Sequence, residues 1–345
     1  MDGNRDISSG SFASTVSSED ATLASETTAS SPRRMAQNTK TPRKAGPKRA
    51  FALYDEPDDD NPFLDEGKAF GDPVDPDETE EEDGVVVLHK LFGRKVARHG
   101  STVIKSGKSI TSSEAEALRL AERLRLPAPR VHAVEKNDHG DMAITMDYVE
   151  GAVLEDVWPN MTETQKRSIV RQLRGILYAM RAAPPPPIGP SPRSTNAASS
   201  PTRRGKPKIS SCGGGAVRDA HHYFDYDGGP FTTEGDFNTF LLSTLLDDTP
   251  PAIARALASR LRTDHRVVFT HGDLTQSNII VREGRIVALL DWEYAGWYPE
   301  YWEYVKFLNR FCRYKDWREY ADDIFPVGYG DELVDYVALN HWQRP

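Results

Sequence analysis

Residues 266–294 read RVVFTHGDLTQSNIIVREGRIVALLDWEY, and this stretch decides the predicted fold. Its apolar runs are short and rich in β-branched residues, and they lie at 267–269, 279–281 and 286–290. Such runs, separated by glycine or polar turn residues, are typical of buried strands. A polar loop, 271–278, follows the first run, and Asp291 follows the third. The stretch therefore predicts strands whose ends carry a functional loop and an acidic side chain.

The polar loop has the spacing H-x-D-x-x-x-x-N, and Asp291 follows one strand pair later. In phosphoryl transfer a protein must position a hydroxyl group and hold Mg²⁺ against the nucleotide phosphates. The carboxylate of Asp273 can take the hydroxyl proton, while Asn278 and Asp291 offer the hard oxygen ligands that Mg²⁺ prefers. The protein-kinase catalytic loop has this spacing, with D-L-x-x-x-N followed by a metal-binding aspartate. The pattern favours a catalytic loop over the alternative, a solvated turn and a strand cap.

Strands are also predicted at 85–92, 95–98 and 102–105. Lys105 ends the last of them, and its ammonium group can bridge nucleotide phosphates if a carboxylate from a helix holds it. An amphipathic helix with the sequence SSEAEALRLAERL follows, and it carries Glu114 and Glu116. Taken alone, the pattern would favour an exposed lysine and two solvated glutamates. Its combination with the polar loop favours a nucleotide site.

A connector between two lobes is predicted at 146–151, MDYVEG, after a strand pair at 131–135 and 142–148. An adenine base would be held there by backbone groups. The candidate base-binding residues are therefore Asp147, Tyr148 and Val149.

The second half of the chain is predicted to be mainly helical. Helices are expected at 162–182, after Thr233 and at 251–262, and the first has the capping-box pattern of Thr162 and Gln165. Residues 184–215 are rich in Pro, Ser, Gly and basic residues without apolar periodicity, which indicates a disordered surface insertion.

Residues 1–84 have the composition of a disordered tail, because they offer too little apolar surface to offset the entropy of ordering. The tail is basic at 33–49 and acidic at 55–83, and the acidic segment accounts for the net charge of −9. The basic segment has no interleaved aromatic residues, so a nucleic-acid partner is not expected, and nuclear targeting stays open as an alternative. Two cysteines, no membrane-length apolar run and no signal-peptide core predict a cytoplasmic protein without a membrane partner.

Five of the six tryptophans lie beyond residue 290, among tyrosines and glutamates. Most of these rings are expected to pack between helices. A minority could line an acceptor pocket, where rings and carboxylates together favour a cation. Spacing alone does not separate the two interpretations, so a cationic acceptor stays open.

The motifs named so far, together with several others, resemble the aminoglycoside phosphotransferase and choline kinase family, and most closely its fungal branch. The matching segments are VIKSG, EAEALRL, LPAPRV, MDYVEG, QLRGILYAMR, GPF at 229–231, FTHGDLTQSNIIV and LLDWEYAGWYPEYWEYVK. They follow the family's order over most of residues 85–310. The resemblance implies an α+β, bilobal protein-kinase-like fold, with a small β-rich N-lobe at 85–150 and a mainly helical C-lobe at 151–345.

The resemblance also implies an ATP- and Mg²⁺-dependent kinase that phosphorylates a hydroxyl group of a small molecule. By that resemblance Asp273 is the catalytic base, and His271 braces its loop. Lys105 binds the nucleotide phosphates, with Glu114 as its partner. Asn278 and Asp291 bind the metal.

One departure from the family pattern concerns the phosphate-covering loop. Between Val85 and Lys105 there is no G-x-G-x-x-G, only the isolated glycines Gly93 and Gly100. An alternative is therefore a pseudokinase-like nucleotide-binding or scaffold protein that has lost turnover. A protein kinase is a second alternative, and the absence of an A-P-E segment after Asp291 speaks against it.

Overall fold

The computed structural model describes residues 84–91, 93–136, 140–186, 208–221 and 224–343. The predicted tail lies outside the described residues except for Gly84, and so does most of the predicted insertion. No helix in the described part of the chain combines the length and the apolar character that crossing a membrane would need.

The N-lobe is a five-stranded antiparallel sheet with one helix. Its strands are β1 (Val85–Leu91), β2 (Arg94–His99), β3 (Thr102–Gly107), β4 (Val131–Lys136) and β5 (Met142–Asp147), in the order β1-β2-β3-β5-β4. Its helix is α1 (Ser112–Arg123), which buries Ala115, Leu118 and Ala121. Because side chains alternate across a strand, Val103 and Lys105 are buried while Ile104 is exposed. The strands and the helix predicted in this region are confirmed within about two residues at each end.

The C-lobe is mainly helical, as predicted. Its helices are α2 (Leu154–Val157), α3 (Glu163–Ala182), α4 (Glu234–Ser243), α5 (Pro251–Arg260), α6 (Trp302–Asn309), α7 (Ala321–Ile324) and α8 (Gly330–His341). Its short strands are β6 (Ala152–Val153), β7 (Ser210–Ser211), β8 (Val217–His221), β9 (Phe224–Gly228), β10 (Val267–Thr270), β11 (Ile279–Arg282), β12 (Arg285–Leu289) and β13 (Gly296–Pro299).

The long helix α3 begins and packs as its sequence predicts. The backbone N–H of Gln165 donates to the Thr162 hydroxyl, and the backbone N–H of Thr162 donates to the Gln165 side chain, which completes the capping box. Its buried face consists of Ile169, Val170, Leu173, Leu177 and Met180. Helix α4 is likewise capped by Thr233.

The strands around the polar loop belong to two different sheets. Strand β10 pairs with β13, which pairs with β7, whereas β11 and β12 form a hairpin that pairs with β6. The polar loop therefore crosses from one sheet to the other. A hydrogen bond from the Leu290 N–H to the Asn278 carbonyl, at 2.8 Å, ties the end of this loop to the end of β12.

The predicted end of the insertion at residue 215 is too late, because residues 208–215 are part of the fold. Strand β7 pairs with Gly296 and Trp297 of β13, and Ile209 is buried beside it. The low apolar content of this segment hid its role, since its strand is only two residues long and both residues are serines.

The aromatic residues beyond position 290 mainly form the core of the C-lobe. Trp292, Trp297, Trp302 and Trp317 are each at most 2% exposed. Tyr298 stacks on Trp302 with ring centroids 5.5 Å apart. The packing interpretation is therefore confirmed for these rings, and the sequence pattern reflects core packing.

Candidate active site

Lys105 lies at the centre of a buried ion-pair cluster that joins the two lobes. Its ammonium nitrogen is 2.7 Å from a carboxylate oxygen of Glu114 and 2.6 Å from a carboxylate oxygen of Asp291. The alternation of β3 turns Lys105 inward, the first turn of α1 supplies Glu114, and Asp291 follows the end of β12. Three residues predicted from separate motifs therefore meet in one place.

Electrostatics keep this lysine charged. Burial alone would lower the pKa of Lys105, but the carboxylates of Asp291 and Glu114 raise it above its usual value. Burial raises the pKa of Glu114, and the ammonium of Lys105 opposes that shift. The two carboxylates within contact distance offset the cost of burying the Lys105 ammonium.

The backbone of Asp291 has a left-handed conformation, with φ 60° and ψ 66°. Aspartate is one of the few non-glycine residues that adopt this region, and such conformations occur often at functional sites. The turn separates the Asp291 side chain from the strand, and a short 3₁₀ helix, Trp292–Tyr294, follows it. The indole N–H of Trp292 donates to the Leu289 carbonyl at 2.8 Å, and this hydrogen bond stabilises the turn.

In the polar loop, Asp273 faces two donors. The side-chain amide of Asn278 donates to one Asp273 carboxylate oxygen at 2.9 Å and to the Asp273 carbonyl at 3.0 Å. The guanidinium of Arg310 forms an ion pair with the other carboxylate oxygen at 3.0 Å. The structure thus places Asp273 and Asn278 in direct contact and fixes the orientation of the Asp273 carboxylate.

His271 is buried beneath this loop and is neutral. Burial lowers the pKa of His271 to about 4. Its Nε2–H donates to the Leu290 carbonyl at 3.0 Å, and its Nδ1 accepts the backbone N–H of Asp273 at 3.2 Å. The imidazole therefore links the Asp273 backbone to the residue before Asp291.

Glu303 and Arg310 also belong to the site, although the sequence prediction did not include them. Glu303 is buried and accepts the backbone N–H groups of His271 at 2.5 Å and Gly272 at 3.0 Å. Burial raises the pKa of Glu303 to about 7. Glu303, Lys306 and Arg310 recur at helical spacing on α6 and its C-terminal end. That charged stripe in an otherwise apolar helix is the signal that could have revealed them.

The three predicted connector residues lie apart from this cluster. Tyr148 and Val149 line a cavity of about 430 Å³ together with Gly100 and Arg282. The carboxylate of Asp147 contacts the His132 ring at 2.7 Å. The Asp147 carboxylate also accepts the Arg130 N–H at 3.2 Å, and the Asp147 N–H donates to the Arg130 carbonyl. The Tyr148 N–H donates to the Ser101 carbonyl, and the Arg98 guanidinium lies 3.8 Å from the centre of the Tyr148 ring. Two of the three connector N–H groups already donate within the protein, so base binding at the connector stays a prediction.

Carboxylate oxygens that could hold a divalent cation converge in the cluster. One oxygen each from Glu114, Asp291 and Glu293 lies within 4.8 Å of the others. The second carboxylate oxygen of Glu114 is buried without a hydrogen-bond partner. Mg²⁺ prefers hard oxygen donors of this kind, although Lys105 now pairs with Glu114 and Asp291, and Arg94 with Glu293.

The sequence profile of the phosphotransferase enzyme family matches residues 105–333, so the chain belongs to that family. The match begins at Lys105 and includes the polar loop and Asp291. No curated protein sequence matches the chain significantly.

Solved structures of aminoglycoside phosphotransferases are similar to this chain in fold. The crystal structure of aminoglycoside phosphotransferase APH(4)-Ia is 16% identical, covers 75% of this chain and 83% of its own, and has a TM-score of 0.50. A ternary complex of a thermostable mutant of that enzyme with ADP and hygromycin B is 16% identical over 65% of this chain and 71% of its own, with a TM-score of 0.45. The GDP complex of aminoglycoside 2'-phosphotransferase-IIIa is 15% identical over 74% and 81%, with a TM-score of 0.47. The chain thus has the predicted α+β, bilobal protein-kinase-like fold.

Proposed function

We propose that this protein transfers the γ-phosphoryl group of ATP to a hydroxyl group of a small molecule. One observation carries the proposal: the ion pairs of Lys105 with Glu114 and Asp291 lie next to the Asp273–Asn278 contact. The Leu290–Asn278 backbone hydrogen bond connects the two halves. Phosphoryl transfer depends on positioning and charge stabilisation, and this arrangement supplies groups for both.

Asp273 is proposed to position the acceptor hydroxyl and to accept its proton. Its carboxylate is held on one side by Asn278 and on the other by Arg310, so its orientation is set before an acceptor arrives. His271 and Glu303 fix the loop backbone beneath it. A general base held within hydrogen-bond reach of its proton is worth roughly 10²–10⁴-fold in rate.

Lys105 is proposed to bind the nucleotide phosphates, and Asp291 and Asn278 to bind the metal. Glu114 holds the lysine in place from α1. Mg²⁺ bound there would neutralise charge on the β- and γ-phosphates. The Asp291 carboxylate is 29% exposed while the Glu114 carboxylate is 2% exposed, so Asp291 is the one open towards a ligand.

The acceptor is proposed to be a polyhydroxylated small molecule, in line with the aminoglycoside phosphotransferases that share the fold. A cationic acceptor is the narrower proposal. The Arg310 guanidinium lies 4.7 Å from the centre of the Tyr294 ring, and the Tyr294 hydroxyl donates to the carboxylate of Asp225 at 3.1 Å. Asp225 and Asp227 are exposed, and both pair with the Arg218 guanidinium, at 3.8 and 3.1 Å. With two carboxylates against one guanidinium, this group keeps a negative charge that would favour a cationic acceptor.

A screen of small-molecule hydroxyl compounds for Mg²⁺-dependent ATP consumption tests the proposal. We expect at least one compound to stimulate ATP consumption by the wild type and to gain a phosphoryl group detectable by mass spectrometry. Asp273→Asn should phosphorylate the same compound roughly 10²–10⁴-fold more slowly. Binding of Mg·ATP without consumption of ATP with any acceptor would instead support the pseudokinase-like alternative.

A further inference from the structure

The hairpin of β1 and β2 occupies the position at which a glycine-rich loop would cover the nucleotide phosphates. Leu91 pairs with Arg94, so only two residues connect the strands. The hairpin lacks the G-x-G-x-x-G whose backbone covers the phosphates in protein kinases. Some other group must therefore provide the contacts.

Arg94 is the first residue of β2, and it reaches across the cleft to the other lobe. Its two terminal nitrogens bind the two carboxylate oxygens of Glu293 at 3.1 and 2.5 Å. Glu293 is buried and lies two residues after Asp291. The guanidinium is therefore held beside the residues that are proposed to bind the metal and the phosphates.

Arg94 and Lys105 are surrounded by the same three carboxylates. Burial opposes the charge of Arg94, but Glu293, Asp291 and Glu114 together raise its pKa above the usual value. The same three carboxylates act on Lys105. Two cations from the N-lobe thus share one set of carboxylates, although the resemblance to the family assigns a role to Lys105 alone.

We propose that Arg94 is a ligand of the terminal nucleotide phosphates and that Glu293 positions it. This inference rests on the proposed function. Two of the five N–H groups of the planar guanidinium bind Glu293, and the three that remain can donate to phosphate oxygens. A side chain at the start of β2 thereby replaces the backbone contacts of a glycine-rich loop.

Lys95 provides a matched control, because neighbouring residues on a strand point to opposite faces. Arg94 is half-buried in the cleft, whereas Lys95 is exposed. Arg94→Met and Lys95→Met each remove one positive charge from the same hairpin. Only Arg94→Met removes the charge from the cleft.

Titration calorimetry with Mg²⁺ and either ATP or AMP tests the inference on the full chain. Arg94→Met should weaken ATP binding roughly 10–100-fold, the usual effect of losing charge-assisted hydrogen bonds to an ion, and should leave AMP binding within about twofold. Lys95→Met should bind both nucleotides as the wild type does. Arg94→Lys should fall between Arg94→Met and the wild type, because it keeps the charge without the paired N–H groups.

Two results would overturn the inference while leaving the proposed function intact. One is wild-type ATP affinity in Arg94→Met. The other is an equal loss of ATP and AMP binding, which would make Arg94 a structural clamp. If thermal unfolding shows that Arg94→Met does not fold, the ratio of ATP to AMP affinity in Arg94→Lys decides instead, and an unchanged ratio contradicts the inference. Failure of the wild type to bind ATP would overturn both the proposed function and the inference.

Discussion

Replacing Asp273 by asparagine should separate catalysis from nucleotide binding. Asparagine keeps the size of the side chain, but it cannot accept a proton at neutral pH. We expect kcat to fall roughly 10²–10⁴-fold, the contribution of a positioned general base. That loss corresponds to about 3–5 kcal/mol of transition-state stabilisation at ~1.4 kcal/mol per decade.

The contacts of Asp273 also predict a cost in stability. One carboxylate oxygen accepts the Asn278 amide at 2.9 Å, and the other lies 3.0 Å from the Arg310 guanidinium. Both neighbours are donors, so the amide group of an asparagine at position 273 would face a donor in either orientation. An unsatisfied polar group costs about 1–3 kcal/mol when it is buried, and the partial exposure of this site favours the lower end.

The assay is steady-state kinetics with an acceptor from the screen, combined with calorimetry for ATP. Asp273→Ala is the control, because it removes the proton acceptor without placing a new donor between Asn278 and Arg310. Both variants should lose kcat and keep their affinity for Mg·ATP. Wild-type-like kcat in Asp273→Asn would refute the catalytic role. Loss of the folded state in both variants would show that Asp273 is mainly a structural hydrogen-bond centre.

Three further changes test other parts of the structure. Asp291→Ala should abolish the Mg²⁺ dependence of ATP binding while the protein stays folded. Calorimetry of ATP binding with and without Mg²⁺ measures this, and an unchanged dependence would contradict a metal-binding role of Asp291. Lys306→Met should destabilise the protein by about 3–5 kcal/mol, because it removes the ammonium that lies 2.5 Å from the buried carboxylate of Asp219. A denaturant midpoint equal to that of the wild type would contradict this prediction. Burial lowers the pKa of His271 in the folded protein to about 4, from the 6.5 of an exposed imidazole, so its neutral form contributes stability above pH 6.5 that is lost as the pH falls towards 4. The difference in unfolding free energy between the wild type and His271→Asn should therefore shrink by about 3 kcal/mol over that interval, and a difference independent of pH would exclude a neutral buried imidazole.

The sequence predicts those parts of the candidate site whose residues lie close together along the chain. Asp273 and Asn278 share one loop, and Asp291 follows the next hairpin, so strand patterns and spacing alone place them together. Lys105 and Glu114 are nine residues apart, at the end of a strand and the start of a helix. That local pattern alone favours exposed side chains, and the family resemblance was needed to predict their ion pair.

Contacts between distant segments were not predictable in this way. Arg94 and Glu293 are 199 residues apart, and no periodicity in either segment marks them as partners. Glu303 stands out as a charged residue in an apolar helix, but nothing in the sequence identifies the loop backbone N–H groups as its partners. Such contacts arise only when the lobes are assembled, because the fold and not the local pattern determines which charged side chains are buried together.

The identity of the strand partners was hidden for a related reason. The runs on either side of the polar loop appear equivalent in sequence, yet β10 pairs with β13 and β11 pairs with β12. Short apolar strands carry little information about register or partner. The position of Asp273 between two sheets is therefore a result of tertiary structure.

The most direct test of the central claim is to follow the phosphoryl group itself. ATP that carries heavy oxygen in its γ-phosphoryl group would be incubated with the wild type, Mg²⁺ and a small-molecule extract of cells. We expect the label in a phosphate monoester of a small molecule. The product should form roughly 10²–10⁴-fold more slowly with Asp273→Asn and should be absent when Mg²⁺ is chelated. Label found only in inorganic phosphate or on protein side chains, from a wild type that binds Mg·ATP, would contradict the assignment as a small-molecule kinase.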